Sequence, residues 1–137
     1  MTVCIDTNVV IGMLGRAAPF PRLRQGLIER RFVWALSTEI LLEYEEVAVR
    51  ELGRDAAAML IRFIEIMDQT RDVILFISPD FRFRMIASDP DDDKFADCAI
   101  TAGADFVITG DRHFQALADS GYKVQPITPE EFVLRHL

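Results

Sequence analysis

Cysteine is scarce in this chain. The two residues, Cys4 and Cys98, each sit among apolar neighbours, which excludes a disulfide framework and reads as two small, reduced core side chains. Histidine is equally scarce: two in total offer no zinc set, and neither is assigned a catalytic role. Long hydrophobic runs are missing, since even Val9-Val10-Ile11-Gly12-Met13-Leu14 stops at Gly15-Arg16, well short of the roughly 18 residues a membrane span needs. An excess of positive charge is missing too. Fifteen Lys and Arg against 22 Asp and Glu give a formal net charge of −7, so bulk adhesion to phosphate backbones is excluded and any nucleic-acid contact must be local. No basic leader precedes the first apolar run, and no linker, repeat or low-complexity tract interrupts the 137 residues. With half of its residues apolar, the chain is expected to be one soluble, cytoplasmic domain over 1–137 with no membrane association.

What is there is an alternation of strands and helices. Val3 to Ile5 reads as a buried strand, followed after Asp6-Thr7-Asn8 by a helix to about Leu14; Pro19-Phe20-Pro21 starts a second helix to about Glu29. Phe32 to Leu36 is a second strand. Ser37-Thr38-Glu39 caps a long helix to about Glu51, and another runs from Asp55 to about Met67. Val73 to Ile77 is a strand, and Pro79 to Pro90 is irregular. The acidic run Asp89 to Asp93 opens a helix to about Ala102, because acids favour the positive end of the helix dipole. Phe106 to Thr109 is a strand, a short helix spans about His113 to Ala118, and Lys123 to Gln125 is a last strand before a helix capped by Thr128-Pro129. This order predicts an α/β fold with a mainly parallel sheet covered by helices on both faces.

Asp6 and Asp111 each fall just past an apolar strand, and in a parallel sheet the carboxyl ends share the edge where ligands bind. Asp93, at the start of the helix leading into the second of these strands, belongs to the same edge. On the Thr38 to Glu51 helix, Ile40, Leu41, Tyr44, Val47 and Ala48 form the inward stripe; Glu43 falls on its border, whereas Glu39 and Glu46 turn toward solvent. Any one of these acids alone would be read as a cap or a solvated charge. Together they repel: a like-charged pair at about 4 Å costs on the order of 1 kcal/mol in water and about 4 at an effective dielectric of 20. Such a cluster raises its own pKa values or takes up a cation, and hard oxygen ligands select Mg²⁺ or Mn²⁺. Asp6, Glu43, Asp93 and Asp111 are therefore the candidate catalytic and metal-binding residues, and phosphodiester hydrolysis is the chemistry such a site suits.

The same residues carry a resemblance. Asp6-Thr7-Asn8 after an N-terminal strand, an internal helix Glu, an Asp opening a helix and Thr109-Gly110-Asp111 after the next strand resemble the PIN-domain nuclease family. Asp89-Pro90-Asp91-Asp92-Asp93-Lys94-Phe95, with Gly103-Ala104-Asp105 and Ile108-Thr109-Gly110-Asp111, resembles its VapC-like subgroup of toxins from toxin–antitoxin systems. The resemblance implies a three-layer α/β/α sandwich and a four-acid Mg²⁺ or Mn²⁺ centre cutting RNA, with an antitoxin protein as partner and a homodimer as assembly. It places the family's acids on Asp6, Glu43, Asp93 and Asp111, its polar neighbour of the first acid on Asn8, and its hydroxyl before the last acid on Thr109. The interval to Asp111 selects Asp93 over Asp91 and Asp92.

Other features admit two readings each. Asp97, one helical turn after Asp93, extends the site or decorates a polar face. Arg22, Arg24, Arg30 and Arg31, and Arg112 with His113, guide RNA or lie on a solvated surface. Phe81-Arg82-Phe83-Arg84 alternates as an edge strand or stacking platform would, although core or oligomer packing suits Phe63, Phe76, Phe81, Phe83 and Phe95 better. The Asp89 to Asp93 run lacks the Gly and the final Glu of a calcium loop. A non-catalytic module binding protein or RNA is the competing function. A haloacid-dehalogenase-like phosphatase is set aside, because Asn8 stands where a second aspartate is needed and Lys94 is the sole lysine between Val3 and Tyr122.

Overall fold

The computed structural model describes residues 1–79, 82–85 and 93–137. Strand β1 (Thr2–Ile5) ends where Asp6 takes over as N-cap of helix α1 (Thr7–Met13), its Oδ1 accepting from the Thr7 N–H at 2.8 Å. Helix α2 (Phe20–Ile28) has proline in its first turn. After β2 (Val33–Leu36), Ser37 caps α3 (Thr38–Leu52) by accepting from the Ile40 N–H. Gly53, at φ +97°, then turns the chain into α4 (Arg54–Arg71), a backbone conformation that side chains rarely adopt. Strand β3 (Ile74–Phe76), α5 (Asp93–Ala102), β4 (Phe106–Ile108), a 3-10 helix (Arg112–Leu117), β5 (Gln125–Ile127) and α6 (Pro129–His136) complete the order.

The five strands among the described residues are all parallel, in the order β3-β2-β1-β4-β5. The chain therefore builds outward from β1 in one direction through β2 and β3, and later in the other through β4 and β5. The reversal lies between β1 and β4, which pair with Ile5 opposite Ile108. That is the crevice where open α/β sheets place their ligands. Beneath it the core is continuous: Val3, Cys4, Ile5, Trp34, Tyr44 and Phe95 are among its fully buried side chains. Cys4 and Cys98 are both buried and free. Their mutual hydrogen bond, and then burial, push the Cys4 thiol well above its ordinary pKa, which keeps it inert.

Differences from the sequence reading are local. The last strand lies two residues later than expected, at Gln125–Ile127, with Pro126 inside it. An edge strand tolerates a missing N–H, so the proline does not break it. The segment after Asp111 is a 3-10 helix. Residues 82–85 form no strand; Phe83 packs edge-on against Tyr122 with ring centroids 5.5 Å apart, whereas Phe76 is 53% exposed. Phe81 and the Asp89 to Asp92 part of the acidic run lie outside the described residues.

The arginines near α2 close carbonyls. Arg24 donates to the Met13 and Gly15 oxygens, Arg22 to Leu137, Arg31 to His136 and Arg30 to Thr70. These contacts satisfy acceptors that helix ends leave orphaned.

Candidate functional site

Asp6 is 6% exposed at the carboxyl end of β1, and its backbone N–H extends the ladder to the Ile108 carbonyl at 3.0 Å. Both carboxylate oxygens are fixed: Oδ1 by the Thr7 N–H, and Oδ2 by the Thr109 hydroxyl, which donates at 2.8 Å. The Thr109 oxygen in turn accepts from the Asp111 N–H at 2.9 Å. One buried hydroxyl thus ties together the acids that follow the two strands on either side of the reversal. Asp111 caps the 3-10 helix through the His113 N–H at 2.9 Å, and the His113 ring nitrogen Nδ1 lies 3.4 Å from the same oxygen.

Glu43 enters from α3 on the border its helical spacing predicts, 21% exposed. The Thr7 hydroxyl donates to its Oε2, and the Lys94 ammonium sits 2.6 Å from its Oε1. Burial raises the Asp6 pKa above the usual carboxylate value. The hydrogen bonds from Thr109 and Thr7 oppose that shift, and the charges of Asp111 and Glu43 add to it. The structure therefore gathers Asp6, Asp111 and Glu43 into one electrostatic neighbourhood. Asp93, half-buried at the first turn of α5, stands beside Lys94 and one turn from Asp97. Among the described residues, no three of these acids close into a ready-made ion cage.

The lesser candidates separate. Thr109 is buried at the centre of the site, and Asn8 is exposed. Asp97 is 1% exposed: its Oδ1 accepts from the Phe83 N–H at 2.8 Å and its Oδ2 faces Arg82 at 3.8 Å, so it fastens residues 82–85 to α5. Burial lifts its pKa, against the pull of the Phe83 N–H and Arg82; Asp93 and Glu39 lift it further. A polar cavity of about 160 Å³ opens here, lined by Ser37, Glu39, Arg82, Lys94 and Asp97. Arg112 lines a second, of about 270 Å³, with Thr109 and Asp111. A groove of about 490 Å³ between α3 and α4 is lined by Val49, Ala57, Ile61 and their neighbours, with none of the four candidate acids.

Sequence reasoning missed two residues here. Thr7 was readable only as part of the Asp-Thr-Asn turn, and Lys94 only as the neighbour of Asp93; neither signal says that both converge on Glu43.

Residues 2–113 match the family described as PIN domain. Among solved structures, the chain is similar to VapBC2 from Rickettsia felis bound to a DNA fragment from its promoter, at a TM-score of 0.62 and 13% identity. The match covers 93% of this chain and 98% of that one. No curated protein matches the sequence.

Proposed function

Because the chain belongs to the PIN domain family, we propose that it is a divalent-metal-dependent endoribonuclease, the toxin of a toxin–antitoxin pair. The observation that carries this reading is the Asp6–Thr109–Asp111 linkage at the sheet's reversal, with Glu43 joined to it through Thr7. The donors are all hard carboxylate oxygens, which fit Mg²⁺ or Mn²⁺, and the Lys94 ammonium beside Glu43 supports the reading that the cluster draws positive charge. Asp6, Glu43, Asp93 and Asp111 would hold the ion, which when bound supplies Lewis acidity toward a phosphodiester.

The chain's own residues do the rest. Thr109 and Thr7 fix the orientation of Asp6 and Glu43, so that little side-chain freedom is lost when a cation is engaged. Arg112, exposed directly after Asp111, offers a guanidinium to a backbone phosphate without the chain as a whole being basic. An antitoxin protein and a second copy of the chain are the partners this reading brings, in a cytoplasmic setting; among the described residues no helix is long and apolar enough to cross a membrane.

The test is cleavage of RNA by the purified chain with Mn²⁺ or Mg²⁺, alongside Asp111→Asn and Asp93→Asn. The expected result is metal-dependent cleavage that falls at least a hundredfold in both folded variants. Wild-type rates in either variant would remove that residue from the site. RNA binding without cleavage by the wild-type chain would favour the non-catalytic module.

A further inference from the structure

Lys94 does not belong to the set of acids, yet it is ion-paired with one of them. Its ammonium lies 2.6 Å from Glu43 Oε1, and the pair is largely withdrawn from solvent, with side-chain exposures of 14% and 21%. The other oxygen of Glu43 accepts from Thr7, so both are engaged without any external ion. The position is not an accident of a long side chain on an open surface. Lys94 is the second residue of α5, a helix packed on β1, β2 and β4, and it forms a wall of the polar cavity shared with Ser37, Arg82 and Asp97. The helix therefore fixes where its stem begins.

We propose that Lys94 is a positioning residue that acts as a tethered counter-cation: its ammonium occupies Glu43 in the resting protein and must give up Oε1 when a divalent ion engages that carboxylate. The inference rests on the metal-dependent reading of the site. Two positive groups competing for one carboxylate oxygen are thermodynamically linked, so Lys94 stabilises the ion-free protein and weakens ion binding by the same factor. The released ammonium stays tethered one residue from Asp93, on the wall of the neighbouring cavity.

The experiment measures Mn²⁺ affinity by calorimetry, and thermal unfolding with and without Mn²⁺, on wild type, Lys94→Met and Lys94→Arg. Lys94→Met is expected to bind Mn²⁺ about tenfold more tightly and to melt lower in chelator, while its Mn²⁺-induced rise in Tm exceeds that of wild type. Lys94→Arg, which keeps the charge, is expected to stay within about threefold of wild type. A lysine serving only to pack the fold would lower Tm equally with and without Mn²⁺ and leave the affinity unchanged, and that result overturns the proposal. Should Lys94→Met fail to fold, the wild-type protein answers alone: the Lys94 ¹⁵Nζ resonance is expected to shift on saturation with diamagnetic Mg²⁺, and an unmoved resonance overturns the proposal. If Mn²⁺ binds neither protein, the metal reading of the site fails and this inference fails with it; equal binding by both removes the role of Lys94 alone.

Discussion

The Thr109 hydroxyl donates to Asp6 Oδ2 at 2.8 Å across the pair of strands where the sheet changes direction. Because the same oxygen accepts from the Asp111 N–H, one buried atom both orients the first acid and shapes the loop that presents the last. Thr109→Val keeps the shape and removes both bonds. It is expected to cost about 1–3 kcal/mol of stability, read as a lower denaturant midpoint at constant slope. Thr109→Ser is expected to recover most of the loss. Equal stability of the valine variant would mean that the hydroxyl is not what holds the two acids together.

Asp6 is buried, and its charge is pressed by Asp111 and Glu43. Asp6→Asn removes that repulsion; its side-chain oxygen can still accept from the Thr7 N–H, and its amide nitrogen can donate to the Thr109 hydroxyl oxygen in place of the bond that Oδ2 accepted. In chelator at neutral pH the variant is expected to be more stable than wild type by about 1 kcal/mol, a gain typical of replacing functional residues. The ordering is expected to reverse in saturating Mn²⁺, since only the wild type then gains from binding. Thermal unfolding under both conditions checks it, and a less stable variant in chelator would show that the carboxylate is a structural asset.

Asp105 behaves in the opposite way. Its Oδ2 accepts from the Thr2 N–H at 3.0 Å, and Lys123 lies 3.2 Å from its other oxygen; the Thr2 N–H first, and then Lys123, hold its pKa below the usual carboxylate value although burial pushes the other way. A depressed folded pKa contributes stability that is fully present above the unfolded value of about 3.9 and is lost as pH falls through the folded one. Asp105→Asn is therefore expected to be less stable than wild type at pH 7, with the difference shrinking below about pH 4. Urea titrations at pH 7, 4 and 3 give the comparison; a gap that persists at pH 3 would assign the effect to packing.

Strands β1 to β4 were legible because each is an apolar run stopped by a polar residue, whereas β5 carries too few apolar residues to fix its bounds; the parallel sheet followed from the alternation with helices. Glu43 was legible from its angle on α3, which depends only on spacing along one helix. The carbonyl-closing work of Arg22 and Arg24 was not, since their acceptors, Leu137 and the Met13 and Gly15 oxygens, are defined only once elements dock. Lys94 was hidden for the same reason: its partner comes from α3, and no local pattern in α5 announces an ion pair with a residue so far away in the chain.

The central position of β1 also bears on how the chain reaches this shape. Val3 pairs with Trp34 on one side and with Phe106 on the other, so during synthesis the first flank of the strand can be covered early while the second stays bare until β4 has emerged. Pairings so distant in sequence are slow to form, and a half-covered hydrophobic strand is a sticky intermediate. The same order of events would keep Asp6 apart from Thr109 and Asp111, and so leave the acid centre unbuilt, until synthesis has passed Asp111.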